Sequence, residues 1–251
     1  MIQTFKRYEL KYKIHEEQWN NLIPVLQKYM SLDEHCQSQG SYKIYNIYFD
    51  NDTDEIIRHS LTKPYYKEKL RLRSYQIPHR ADDPIFFEIK KKIGGVVNKR
   101  RAITTLSQAI RLSEHGLISI PNEYQNQQVL AEIQKFLWRY QAKPKVFLSY
   151  ERVAYFEKGN PNLRVSLDSH ILSRRTQVHF GGGEYGTPLL PEGDYIMEIK
   201  CDGHIPLWLS QQLSKQCIFR TGFSKYGTEY KNYRESKSLD FAKRGVEQYV
   251  R

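Results

Sequence analysis

The chain is poor in cysteine. Cys36, Cys201 and Cys217 are odd in number, widely spaced and form no CxxC pair, so neither a disulfide framework nor a cysteine-based zinc site is indicated, and buried free thiols are expected. Long apolar runs are also missing: nothing approaches the ~20 residues of a membrane-spanning helix. The opening "MIQTFKRYELKYKI" lacks the apolar centre of a secretory signal. A reducing, cytoplasmic setting is the expectation for this chain, unless it is one domain of a longer membrane protein. Internal repeats and low-complexity segments are absent. The glycine run of "HFGGGEYG" has no GK[ST] after it and is read as a flexible loop. The histidines His59, His79, His170, His179 and His204 show no ligand spacing and do not suggest zinc. Acidic residues are in deficit, with 28 Asp and Glu against 39 Lys and Arg, a formal charge of +11. Such a balance favours anionic partners: nucleic acid, anionic membrane or phosphorylated small molecules.

What is present is enough for a core, with 39% hydrophobic residues and 13% aromatics in 251 residues. Strand-like runs rich in Tyr, Phe, Ile, Leu or Val fall at 4–14, 41–50, 67–76, 84–92, 97–104, 145–157, 162–172 and 194–201, most of them bounded by Gly, Pro, Asn or Asp. Helical patterns fall at 16–30, 106–115, 124–140, 207–216 and 239–249, with Asn122 as a candidate N-cap. The stretches 51–64 and 181–191 read as loops. A single domain over 1–251 is the simplest partition.

The stretch "FEIKKKIGGVVNKRR", 87–101, crowds six cations and one carboxylate into two short strands and a turn. Alternate residues of a strand share a face, and sorting them shows where such charge goes. Arg7, Glu9, Lys11 and Lys13 lie opposite Tyr8, Leu10, Tyr12 and Ile14. Lys67, Lys69, Arg71 and Arg73 lie opposite Glu68, Leu70 and Leu72. Glu88 with Lys90, Lys99 with Arg101, Arg164 with Ser166 and Asp168, and Glu198 with Lys200 repeat the pattern. For any one strand, an open sheet with a wet face explains this. Taken together, one apolar and one cation-rich face per strand points to an α+β protein, an eight-stranded antiparallel β-barrel with helices packed outside and the charged faces turned inward. Eight strands enclose room for side chains or one small ligand. Buried unpaired charges cost several kcal/mol each, so a polyanion is expected among them, and phosphates suit Arg forks, Lys point charges and a carboxylate-held divalent cation.

In order along the chain, "FKRYELKYKI", "YNIYFDN", "KLRLRSY", "FFEIKKK", "NKRRA", "YERVAY", "LRVSLD", "MEIK" and "GFSKYGTEY" resemble the VTC-type polyphosphate polymerase domain of the triphosphate tunnel metalloenzyme superfamily. Each motif is weak alone, and the ordered series spans nearly the whole chain. The resemblance implies an eight-stranded tunnel that extends inorganic polyphosphate from ATP with Mn2+ or Mg2+. It assigns Arg71, Arg73, Lys90, Lys99, Arg101, Arg152 and Arg164 to phosphate, with Lys11 and Lys225 as further tunnel lysines. It assigns Glu198 to the metal, with Glu88 as a second-rank metal candidate and Lys200 as a second-rank substrate-binding residue. Lys69 belongs to the same cationic face, and Tyr150, on the face of Arg152, either stacks on adenine or packs in the sheet. The wider superfamily opens with ExExK, whereas this chain has Arg7, Glu9 and Lys11. Losing the first acid moves it toward the polymerase branch, while the surviving Glu9 would support a second metal and hydrolysis. Two alternatives therefore stand beside the polymerase: a tunnel phosphohydrolase acting on tripolyphosphate or nucleoside triphosphate, and a non-catalytic module binding polyanions or RNA. No specific nucleic-acid partner is expected, and the chain shows neither a membrane-protein partner nor the sensing domain and membrane helices through which relatives export product.

Overall fold

The computed structural model describes residues 7–116 and 124–249; residues 4–6 of the first expected strand and the candidate cap Asn122 lie outside them. One antiparallel sheet dominates. Its main path runs β1 (Arg7–His15), β10 (Asp194–Asp202), β8 (Asn160–Arg174), β7 (Lys143–Glu157), β3 (Tyr42–Asp50), β4 (Tyr66–Ser74), β5 (Pro84–Ile93) and β6 (Val96–Thr105). These are the eight expected strands, each within a few residues of its sequence boundary. Two short additions, β2 (Met30–Leu32) on β7 and β9 (Thr187–Pro188) on β8, complete it.

The helices α1 (Glu16–Tyr29), α3 (Leu106–His115), α4 (Tyr124–Tyr140) and α5 (Leu207–Lys215) take the positions expected of them. Local chemistry sets α3 at both ends. The Gln108 amide N–H donates to Thr105 Oγ1 at 3.3 Å, the Gln108 side chain accepts from the Thr105 amide at 2.9 Å, and Gly116 closes the helix at φ +69°. Two helices depart from expectation. The supposed loop 51–64 contains α2 (Glu55–Leu61), whose amides at Ile56 and Ile57 are capped at 2.9 Å each by the carboxylate of Asp50 at the end of β3. That cap lies several residues upstream, where a local N-cap search does not look. The last helix, α6, starts at Lys225 rather than at 239 and runs to Tyr249. Its first turns carry Gly227 and many polar residues, so helical periodicity is faint, and tertiary contacts hold it instead.

Apolar strand faces pack outward under helices, as the alternation required. One core joins Phe49, Leu70, Phe87 and Phe147 to Leu112 of α3 and Ile133 and Phe136 of α4. A second joins Ile14, Val165, Met197 and Ile199 to Leu22 and Leu26 of α1 and Leu209 of α5. A third lies on the concave side, where Ile44, Tyr48, Leu148 and Tyr150 meet Ile57 of α2 and Tyr226 and Tyr230 of α6. The helices are thus not all outside: α2 and the start of α6 cover part of the concave face.

The expected closed barrel is corrected to a curled, open sheet. β1 and β6 are its edges, and no backbone ladder joins them among the described residues. Across the seam, Lys90 of β5 faces Glu9 of β1 at 3.8 Å. A closed eight-stranded barrel has an interior that side chains just fill; the long, hydrated Arg and Lys side chains here need more space, and the edges stay apart. Stability rests on the outer cores. Phe87 is fully buried, and Phe87→Ala is expected to lower unfolding free energy by about 3–5 kcal/mol in denaturant titration.

Candidate active site

The concave face is organised around two carboxylate centres. The first is Glu88, 1% exposed, which the strand register places directly between Arg71 of β4 and Arg101 of β6. Arg71 donates from Nε at 2.8 Å and approaches with Nη2 at 2.7 Å, both to Oε2. Arg101 Nε and Lys99 Nζ reach Oε1 at 2.9 and 2.7 Å, and Arg73 Nε stands 3.7 Å from Oε2. Burial alone would favour the neutral acid, yet the surrounding Arg71, Arg73 and Lys99 hold the Glu88 carboxyl well below its usual range. Both oxygens are committed to cations, so in this arrangement Glu88 orders Arg71, Arg73, Lys99 and Arg101.

The second centre joins Glu198, Asp168 and Glu9. Lys11 and Glu198 are cross-strand partners at 3.1 Å, and Lys11 also meets Glu9 at 3.3 Å. Arg152 grips Asp168 with both forks, Nε to Oδ1 at 2.6 Å and Nη2 to Oδ2 at 2.8 Å, and extends Nη2 toward Glu198 at 3.7 Å. Lys225, the first residue of α6, donates to Asp168 and lies 3.9 Å from Glu198, as does Lys200. Burial opposes ionisation of Asp168 and Glu198, but Arg152 and Lys225 on the first, and Lys225, Lys11 and Arg152 on the second, keep both carboxyls below their ordinary values.

Asp168 was not among the residues singled out from sequence, although it is wholly buried and pairs with two that were. The available signal was its place in "LRVSLD", on one strand face with Arg164. Arg164 Nη2 donates to Asp33 and to the Tyr42 hydroxyl, both at 3.0 Å, and its buried Nε has no hydrogen-bond partner among the described residues. Tyr150 is buried with its ring beneath Lys225, 4.4 Å from the ammonium, and its hydroxyl accepts from Arg73 at 3.3 Å. It packs against the cations.

Between the centres the positive charge is incompletely compensated. Lys69 donates to the Ser224 hydroxyl at 3.5 Å, lies 5.8 Å from the Tyr226 ring centre and pairs with no carboxylate among the described residues, and burial pushes its ammonium down to about 8. Lys99 is likewise pushed down to about 8 by burial, against the pull of Glu88. Tyr48 accepts from Arg71 Nη1 at 3.0 Å; burial resists its ionisation, but Arg71 and Arg73 outweigh that and bring the phenol to about 8. The Tyr48 shift reports a strong positive field, and the two lysine shifts report ammonium groups drawn out of water.

No group of three or more metal-ligating side chains occurs among the described residues. Mg2+ and Mn2+ at phosphate sites need fewer, taking one or two carboxylates and completing their shell with phosphate oxygens and water. Glu198 and Glu9, linked through Lys11, are the pair that fits this donor set.

A family model described as VTC domain matches residues 6–233. The chain belongs to the VTC domain family. Among solved structures, this VTC domain is similar to a candidate adenylate cyclase from Bacillus halodurans, with a TM-score of 0.51 at 16% identity, covering 86% of this chain and 92% of that one. That likeness shows the shared fold. The Mimivirus capping enzyme triphosphatase aligns more loosely, with a TM-score of 0.37 at 10% identity over 84% of this chain and 87% of that one. No curated protein matches the chain.

The Glu88 centre makes a pH prediction for the VTC domain. A carboxyl depressed in the native state contributes stability that is complete above its unfolded value, 4.5 for Glu88, and that is lost as pH falls below it. Thermal midpoints of the parent should therefore fall as the solution is acidified through this region. Glu88→Gln should be less stable near neutrality and show a shallower acid limb; equal acid slopes would remove Glu88 as a contributor.

Proposed function

We propose that this VTC domain, acting as a single domain, is a polyphosphate polymerase that moves the γ-phosphoryl group of ATP onto a polyphosphate end within the concave face. The observation that carries the reading is the continuous cation lattice from Lys99 and Arg101 through Arg71, Arg73, Arg152 and Lys225 to Lys11, outnumbering the carboxylates it touches. Phosphoryl transfer asks a protein for little covalent chemistry. It needs the attacking and leaving oxygens in line and the equatorial charge neutralised. No nucleophilic side chain is required.

In the proposed step an oxygen of the terminal phosphate of the chain forms a bond to the γ-phosphorus. The bond from that phosphorus to the β,γ-bridging oxygen breaks, and ADP departs with its electron pair. Attacker and donor are both anions, so Arg71, Arg73, Lys90 and Arg152 serve first to offset their repulsion. Arg forks already held by Glu88 and Asp168 need little reorganisation to meet phosphate. Lys11, Lys69, Lys99, Arg101, Arg164, Lys200 and Lys225 extend the same field along the product, letting it advance by a phosphate at a time. A divalent cation on Glu198 and Glu9, when bound, would neutralise charge on the donor phosphates.

A second reading is favoured by Glu9. It is a partly exposed carboxylate at the seam, bonded to Lys11 and near Lys90, where it would orient water and turn the same site to hydrolysis of tripolyphosphate or nucleoside triphosphate. Incubation with ATP and Mn2+ separates the two: a metal-dependent ladder of polyphosphate on a gel is the polymerase outcome, and orthophosphate without a ladder is the hydrolase outcome. Arg71→Ala and Lys90→Ala should each lower turnover about 10²-fold, the scale for deleting a group that stabilises transition-state charge, with the fold retained by circular dichroism. Because Lys69 and Lys99 lose their protons as pH rises through about 8, tripolyphosphate affinity should weaken above that pH and binding at pH 8 should take up protons; calorimetry in buffers of different ionisation enthalpy measures the uptake.

A further inference from the structure

Away from the carboxylate centres, the tip of the β5–β6 hairpin exposes a set of apolar side chains that the tunnel does not use. Val96 is 61% exposed, Val97 47% and Ile93 45%, and Tyr65, just before β4, is 77% exposed. The tip is stiff. Gly94 and Gly95 turn the chain with φ of +53° and +92°, the two-residue turn whose twist matches its flanking strands. The Gly94 amide donates to the Tyr65 carbonyl at 2.9 Å, and the Tyr65 ring lies so close that a Cβ on Gly94 would meet it at 3.0 Å.

Behind this tip stands a collar of ammonium groups. Lys92 pairs across the strands with Val97 on one side and Lys67 on the other, and Lys63 precedes Tyr65 on the adjoining loop. Lys67 donates to the Ser60 carbonyl at 3.0 Å, and Lys63, Lys67 and Lys92 pair with no carboxylate among the described residues. The nearby Glu132 is taken by Lys91 and Arg100, and Glu68 accepts from the Tyr140 hydroxyl. At about 3.4 Å per strand residue, Lys92 and its cross-strand partner Lys67 lie roughly 3–7 Å behind the tip. That is the depth at which an interfacial segment carries apolar side chains below lipid headgroups while its cations meet phosphate.

We propose that this hairpin tip docks the chain on an anionic lipid surface. Ile93, Val96, Val97 and Tyr65 enter the boundary between headgroups and acyl chains, and Lys63, Lys67 and Lys92 meet lipid phosphates. A convex tip with the apolar groups foremost suits a deformable apolar layer better than a protein partner, which would need a matching groove. Lys67 and Lys92 continue the strand faces that carry Lys69 and Lys90, and the proposal holds whichever reaction the concave face performs.

The test is co-sedimentation of the full chain with phosphatidylcholine vesicles, with and without phosphatidylglycerol. Binding is expected only with the anionic lipid. The paired change Val96→Ser and Val97→Ser should weaken it about tenfold, and Lys63→Glu with Lys92→Glu should weaken it more than tenfold; both pairs lie at exposed positions, so circular dichroism should be unchanged. Absence of binding would overturn the proposal. So would wild-type binding by the serine pair, which would mean adsorption through overall charge. Displacement from vesicles by polyglutamate that depends on Val96 and Val97 would also overturn it, reassigning the tip to an acidic protein.

Discussion

Mutual repulsion among the cations on the concave face is the constraint from which most of the structure follows. Arg71, Arg73, Lys99 and Arg101 could not share one small volume without Glu88, and Lys11, Arg152, Lys200 and Lys225 could not gather without Glu198 and Asp168. Removing a charge from water costs several kcal/mol even after relaxation. Each buried carboxylate therefore serves several cations at once, and the network still retains an excess of positive charge. That excess is stable only where water or an anion can reach it, which is why the sheet curls without closing.

The helices complete this solution rather than merely covering it. α1, α3, α4 and α5 bury the apolar faces of the strands, and those outer cores supply the stability that the charged interior does not. α6 has another task. It brings Lys225 onto Asp168 and Tyr226 against Tyr48, whose rings stack with centroids 4.8 Å apart. Arg175 fixes the same helix by gripping Glu229 at 2.7 and 3.0 Å and Asp54 at 2.8 Å. The concave face is thereby filled with apolar groups in one part and left charged in the other. A phosphate chain would meet prearranged cations, with much of the desolvation and ordering already done during folding.

Much of this was legible before any coordinates. All eight main strands and their faces could be read from alternation, and the cations of the concave face followed from collecting the charged faces. The family followed from the order of "ELKYK", "KLRLR", "EIK", "YERVAY" and "MEIK". What could not be read had specific physical causes. α2 is capped by Asp50 from another element. The first turns of α6 have little apolar periodicity of their own. Asp168 looked like one more polar residue on a wet strand face until Arg152 and Lys225 were seen to converge on it.

The sequence by itself determined which side of each strand is charged, because successive side chains in an extended chain point to opposite faces whatever lies around them. It also determined that the charged side is predominantly cationic, because that is a matter of composition. Only the tertiary structure decided which cations share which carboxylate, that the barrel stays open at the seam between Glu9 and Lys90, and that a helix enters the concave face. These contacts join residues distant in sequence, such as Asp168 and Lys225, and they depend on register, curvature and the space long side chains require, none of which is encoded in a local pattern.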